Sequence, residues 1–200
     1  MEANIIYNID CLTGLRNLPD DSIDCCVTSP PYFNLRDYGV SGQIGLEDTP
    51  EQYIQKLVGV FHEVRRVLAP AGTLWVNIGD CYAGSGKGAA NYPDNAMKYK
   101  QGTNRGTVGR SAIVKKFDGY KSKDLIGIPW MLAFALRADG WFLRQDIIWA
   151  KPNPMPESMK DRCTKSHEYI FLLTKSPKYY FDCEAIHEKA VTSGTIPTNA

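Results

Sequence analysis

Several things are scarce in this chain. Its six cysteines form no C-x-x-C pair, and with only three histidines no zinc-ligand spacing arises. No metal site is therefore expected, and the thiols read as those of a reducing compartment. No apolar run reaches the roughly 18 residues of a membrane-crossing helix. The opening stretch, "MEANIIYNID", has no basic region leading into an apolar core, so a soluble, cytoplasmic protein is expected. There is no internal repeat, and 200 residues suit one domain.

An excess of either charge is also missing, with 23 Lys and Arg against 22 Asp and Glu. The distribution, however, is uneven. Residues 1–83 carry five basic and eleven acidic side chains, whereas residues 84–123 carry nine basic and two acidic ones. Such a basic block points to a polyanion at one surface, or else to a solvated loop with incidental charge. The same block holds seven glycines and little periodicity, which predicts a long mobile loop.

The rest of the chain is patterned. "ANIIYNID" (3–10) reads as a short apolar strand ending in Asp10, and "CLTGLRNLPDDSID" (11–24) as a short helix and a turn. "IDCCVTS" (23–29) is a strand, ended by Pro30 and Pro31 because neither can donate to a ladder. Thr49-Pro50-Glu51-Gln52 opens a helix as a capping box, and Ile54, Leu57, Val58, Phe61, Val64 and Leu68 give that helix an apolar face up to "APAG" (69–72). "TLWVNIGD" (73–80) is a buried strand and "DLIGIPWMLAFALRADG" (124–140) a helix closed by Gly140. "WFLRQDIIWA" (141–150), "SHEYIFLLTKS" (166–176) and "KYYFD" (178–182) read as strands. This alternation predicts an α/β, doubly wound sheet with an antiparallel hairpin at its far end. Ligands of such sheets sit at the carboxyl ends of strands, where Asp10, Ser29 and Asp80 fall. For Asp10 a plain turn role is an equal alternative, and for Asp80 a loop-capping role is favoured.

"VTSPPY" (27–32) puts a hydroxyl, a carbonyl free of any ladder and an aromatic face within a few residues. Alone, it could equally be a strand terminator with a packed tyrosine. In context it resembles the catalytic motif of S-adenosylmethionine-dependent DNA amino-methyltransferases, with serine in first place as in the N4-cytosine group. The resemblance continues through the Asp10 turn, "GTLWVNIGD" (72–80), "DGWFLRQDIIWAKPNPMPES" (139–158) and "KSHEYIFLLTKSPKYYFD" (165–182). It implies a Rossmann-like methyltransferase sheet, S-adenosyl-L-methionine as cofactor and double-stranded DNA as partner. It also implies roles. Ser29 and the Pro30 carbonyl would accept the amine hydrogens, Pro31 would complete the motif, and Tyr32 would stack on a base turned out of the duplex. Asp10 and Thr28 would contact the cofactor. Trp149 would be a second wall of the base pocket or a core residue. Lys115, Lys116, Lys151, Lys160, Arg162 and Lys165 would meet phosphates. N6-adenine methylation is the runner-up, since that group more often carries aspartate or asparagine where Ser29 stands.

Three absences bear on this resemblance. It calls for a glycine-rich cofactor loop, Asp-Pro-Phe-x-Gly-Ser-Gly-Thr, after the hairpin, and the Ser-Gly-Thr within "VTSGTIPTNA" (191–200) has no strand before it. Residues 1–200 therefore read as the catalytic part of a methyltransferase domain, its sheet incomplete until a second polypeptide or further residues supply the cofactor loop and most of the target-recognition region. No cysteine follows a proline, which removes the Pro-Cys nucleophile of carbon-5 cytosine methylation. "GSGKG" (84–88) is no phosphate loop, because Cys81 and Gly88 occupy positions that need glycine and serine or threonine. A DNA-binding module without catalysis, and methylation of another planar amine such as a protein glutamine, stand as alternatives.

Overall fold

The computed structural model describes residues 2–84, 116–154, 156–157 and 159–188. Lys115, residues 191–200 and most of the basic block lie outside them. The elements are α1 (Cys11–Arg16), β1 (Ile23–Thr28), α2 (Pro50–Val67), β2 (Leu68–Ile78), α3 (Ile128–Ala138), β3 (Phe142–Ala150), β4 (His167–Thr174) and a 3-10 turn at Glu184–Ile186. The strands form one sheet in the order β1-β2-β4-β3. β1 runs parallel to β2, and β4 runs antiparallel to both β2 and β3. Hence β1, β2 and β3 share a direction, and their carboxyl ends meet the start of β4 at one edge. The α/β sheet and its antiparallel hairpin are as the sequence implies.

Alternation decides which face is core. Leu74, Val76 and Ile78 of β2 and Phe171 and Leu173 of β4 are buried in one cluster with Tyr53, Leu57 and Phe61 of α2 and Leu132 and Leu136 of α3. Each such side chain contributes about 1.5–3 kcal/mol by leaving water. α2 begins where expected, with Thr49 Oγ1 accepting from the Gln52 amide at 3.2 Å. Gln52 Oε1 reaches back to the Asp48 amide, one residue earlier than a standard capping box. Both helices lie on that one face. The opposite face carries no helix among the described residues, and Val27 on it is 78% exposed.

Three sequence expectations need correction. Residues 3–10 are not a strand: an apolar run becomes one only with a ladder partner, and among the described residues β1 pairs on one side alone. Ile6 is accordingly 99% exposed. Residues 178–182 are also not a strand; Ser176 turns the chain by hydrogen-bonding the Pro70 and Lys178 carbonyls, and Tyr180 N–H makes a lone bond to the Ala71 carbonyl. The helix predicted from residue 124 starts at Ile128, because Gly127 takes a left-handed φ of +84° that breaks it there. The described part of the loop predicted over 84–123, residues 84 and 116–123, has no helix or strand, yet Phe117 in it is buried and Ala83 and Lys123–Asp124 exchange backbone bonds.

Asp80 is the cap expected of it, at long range. Its carboxylate accepts from the Cys81, Gly127 and Ile128 amides at 2.9–3.1 Å, closing the turn after β2 and the first turn of α3 together. Among the described residues no helix is long and apolar enough to cross a membrane, and no side-chain group could hold a metal ion. Asp80→Ala should cost about 1–2 kcal/mol, as lost helix caps do, lowering Tm by roughly 2–8 °C for a chain of this size. Thermal unfolding checks this; an unchanged Tm would mean that α3 starts without the cap.

Candidate active site

The chain leaves β1 at Ser29 and is fixed within five residues. The Pro31 carbonyl accepts from the Tyr53 hydroxyl at 2.8 Å, and the Asn34 amide donates to the Gly45 carbonyl at 2.7 Å. Phe33 is buried between the rings of Tyr53 and Phe117, with centroids 5.3 and 5.2 Å away. Gly45 has a φ of +102°, and a Cβ there would come within 2.9 Å of the Tyr32 carbonyl. The Pro30 carbonyl accepts no hydrogen bond among the described residues. Ser29 is exposed beside it. An open hydroxyl and an open carbonyl thus stand together on a rigid turn.

Tyr32 is held by its phenol. The hydroxyl donates to Asn77 Oδ1 at 2.8 Å and faces Glu168 Oε2 at 3.0 Å, while Ser29 Oγ donates to it at 3.5 Å. Asn77 is itself oriented, since its Nδ2 donates to the Tyr169 carbonyl at 3.1 Å. Glu168 is ion-paired with Lys151. The Tyr32 ring lies so close to β2 that a Cβ on Gly79 would come within 2.6 Å of it. These contacts follow from register. Asn77 pairs with Ile170, so Glu168 shares its face, and Trp149 pairs with Glu168.

Burial, with the Glu168 charge beside it, pushes the Tyr32 phenol up to about 12, against the hydrogen bond from Ser29. At Glu168 burial favours the neutral acid, but hydrogen bonds from Lys151 and Tyr32 outweigh it and hold the carboxyl below its ordinary value. The site therefore presents a neutral phenol beside an ionised carboxylate at neutral pH. A cleft of about 350 Å³ opens over Ser29, Pro30, Pro31 and Tyr32, with Leu35, Arg36 and Tyr38 also lining it.

The structure brings together Ser29, Pro30, Pro31 and Tyr32. It does not bring Asp10 and Thr28 to the same cleft. Asp10 caps α1, its Oδ1 accepting from the Thr13 amide and hydroxyl at 3.0 and 3.2 Å. Thr28 pairs with Val76, on the helix-covered side. Trp149 is about half exposed on β3, outside the core. Among the cations, Lys116 and Lys160 are exposed. Lys151 is held by Glu168, and Arg162 pairs with Glu157 and lies 4.1 Å over the Tyr82 ring. Burial lowers the Lys165 pKa, opposed by Asp80, Cys81 and Glu168. A phosphate would have to compete with these partners.

Sequence reasoning missed Asn77, Gly79 and Glu168 as parts of the site. The signal was present as polar or missing side chains inside apolar strand patterns, but their meeting depends on strand pairing.

The fold is that of Rossmann-like methyltransferases. The PvuII DNA methyltransferase (cytosine-N4-specific) superposes with a TM-score of 0.60 at 17% identity, covering 90% of this chain and 52% of that one. TTHA0409 from Thermus thermophilus, solved with S-adenosyl-L-methionine, superposes with a TM-score of 0.54 at 22% identity, covering 88% and 55%. The chain belongs to the DNA methylase family of the N6/N4 type, whose profile matches residues 23–195. It is 52% identical over 189 residues to the type II methyltransferase M.Cfr9I of Citrobacter freundii, covering 94% of this chain and 60% of that protein. To M.SmaI of Serratia marcescens it is 51% identical over 185 residues, covering 90% and 59%. The chain thus spans about 60% of the length of these relatives.

Gly79→Ala should displace the Tyr32 ring and lower stability by about 1–3 kcal/mol, the usual cost of overpacking. Denaturant unfolding measures this; a neutral substitution would show that the ring has room the structure does not give it.

Proposed function

We propose that this chain is the catalytic part of a site-specific DNA methyltransferase acting on the exocyclic amine of a flipped base, with N4 of cytosine favoured over N6 of adenine. The observation that carries the reading is the pair of open acceptors, the Ser29 hydroxyl and the Pro30 carbonyl, on one rigid turn above the clamped ring of Tyr32. An exocyclic amine is a weak nucleophile because its lone pair is delocalised into the ring. Two acceptors for its hydrogens draw the nitrogen towards tetrahedral geometry and aim the lone pair. Tyr32 supplies a face for the base once it has left the stack. Serine is a poor base, so the amine proton leaves to water after the nitrogen has gained its substituent and become acidic. Rate is then gained chiefly by orientation and fixed dipoles.

S-adenosyl-L-methionine, which TTHA0409 was solved with, supplies an electrophilic methyl group when bound. Asp10 and Thr28, which the resemblance assigns to it, do not line the cleft that opens over Ser29. The outer edge of β1, unpaired among the described residues and beside the exposed Val27, is where a second polypeptide or further residues would extend the sheet and bring the cofactor loop. Serine at position 29 and the cytosine-N4 specificity in the name of the PvuII enzyme support the choice of base. The type II methyltransferase relatives support DNA as partner and a role in restriction-modification. Among the described cations that the resemblance assigns to phosphates, Lys116 and Lys160 are the exposed ones, with Lys115 beside Lys116 in sequence.

The whole encoded protein, expressed in a host that lacks DNA methylation, should leave N4-methylcytosine in host DNA. Nucleoside mass spectrometry reads it, and Ser29→Ala should reduce it by roughly 100-fold or more, the scale of losing one oriented polar group at a reacting centre. N6-methyladenine instead would reassign the base. Neither base, from a soluble protein that binds DNA, would favour a binding module without catalysis.

The phosphate assignment has its own measurement. Lys116→Ala/Lys160→Ala should weaken duplex binding equally for all sequences and flatten the dependence of affinity on salt by up to about two phosphate contacts. An unaltered salt slope would remove both lysines from the DNA surface.

A further inference from the structure

We infer that Glu168, backed by Lys151, is a positioning residue that turns the Ser29 hydroxyl into a hydrogen-bond acceptor by acting through the Tyr32 phenol. This rests on the amine-holding role proposed for Ser29.

A serine hydroxyl has one proton and two lone pairs, and it can hold an amine hydrogen only if its own proton points elsewhere. Here the Tyr32 oxygen, 3.5 Å from Ser29 Oγ, is the neighbour placed to take that proton, over a contact longer than an ordinary O–H···O bond. The Tyr32 oxygen is free to accept because its own proton is drawn the other way, towards Glu168 Oε2 at 3.0 Å and Asn77 Oδ1 at 2.8 Å. The opposite arrangement, with Tyr32 donating to Ser29, would let Ser29 point its proton into the cleft. That polarity repels an amine hydrogen. Charge decides between the two, because a carboxylate is a much stronger acceptor than a hydroxyl.

Each neighbour of Glu168 supports the same direction. Lys151 approaches it from just beyond β3, and Lys165, preceding β4, adds positive charge nearby. Asn77 presents its carbonyl oxygen because its Nδ2 is taken by the Tyr169 carbonyl. Tyr32 is then surrounded by acceptors on its inner side and has Ser29 as its donor. The chain of bonds runs Lys151, Glu168, Tyr32, Ser29, and it ends in the cleft.

The test uses the whole encoded protein with Glu168→Gln, Tyr32→Phe, the double variant and Lys151→Met. Single-turnover methyl transfer from S-adenosyl-L-methionine to duplex DNA should fall about 10-fold in Glu168→Gln, one charge-assisted hydrogen bond's worth, with DNA affinity unchanged. In the Tyr32→Phe background the same substitution should cost nothing further, because its route is gone. Losses that multiply in the double variant, or an undiminished rate in Glu168→Gln, overturn the inference. Lys151→Met should shift the rate the same way as Glu168→Gln and serves if that variant does not fold. An independent arm follows tyrosine Cζ by carbon-13 NMR, with Tyr32 assigned by its loss in Tyr32→Phe. Tyr32 should titrate near 12 in the wild type and lower in Glu168→Gln; a titration that ignores Glu168 also overturns the inference. If the wild type transfers no methyl group, the proposed function fails while the NMR arm still decides whether Glu168 governs Tyr32.

Discussion

Hydrophobic burial on one side of a short sheet determines which side chains can do chemistry on the other. Leu74, Val76 and Ile78 of β2 are committed to the core with α2 and α3, so Asn77 between them must face away. The same parity on β4 commits Phe171 and Leu173 inward and turns Glu168 outward beside Asn77. A slip of one residue in either strand would bury the amide or the carboxylate and expose leucine or phenylalanine. That is prohibitive in energy, so the polar site inherits its precision from the apolar core beneath it.

Tyr32 transmits this precision to the loop. Proline stops β1 early, leaving the turn after Ser29 with no ladder to hold it. Its anchors are instead Phe33 in the core, Tyr53 on the Pro31 carbonyl, and the Tyr32 phenol across the end of β2. Three attachments of different kinds leave the Pro30 carbonyl and the lone pairs of the Ser29 hydroxyl as the open acceptors of an otherwise immobilised turn. Preorganisation of this sort is what a reaction dominated by orientation requires.

Much of this was legible in the sequence, and the reasons differ by residue. The end of β1 could be read because proline's missing N–H is a local property. α2 and the core strands could be read because 3.6 and 2.0 periodicities are also local. Asp80 could be assigned to capping, although its partners at Gly127 and Ile128 lie far along the chain. Residues 3–10 were misread because alternation marks a strand's capacity to pair, not the presence of a neighbour to pair with. Phe117 was hidden inside a glycine-rich, basic block that argues for a loop, and it nonetheless reached the Phe33 ring. Glu168 was visible as a lone acid in an apolar strand, but nothing local announces that the register will set it against a tyrosine from the first quarter of the chain.

The contact between Gly79 and the Tyr32 ring has an evolutionary consequence. At position 79 the space a side chain would occupy is already filled by an aromatic ring supplied from elsewhere in the sequence. Drift at one position is therefore conditional on the other: a lineage that enlarges residue 79 must first shrink or reorient residue 32, and the intermediate loses the ring before gaining anything. The two positions behave as a single heritable unit, and in descendants of this chain they should be retained or replaced together.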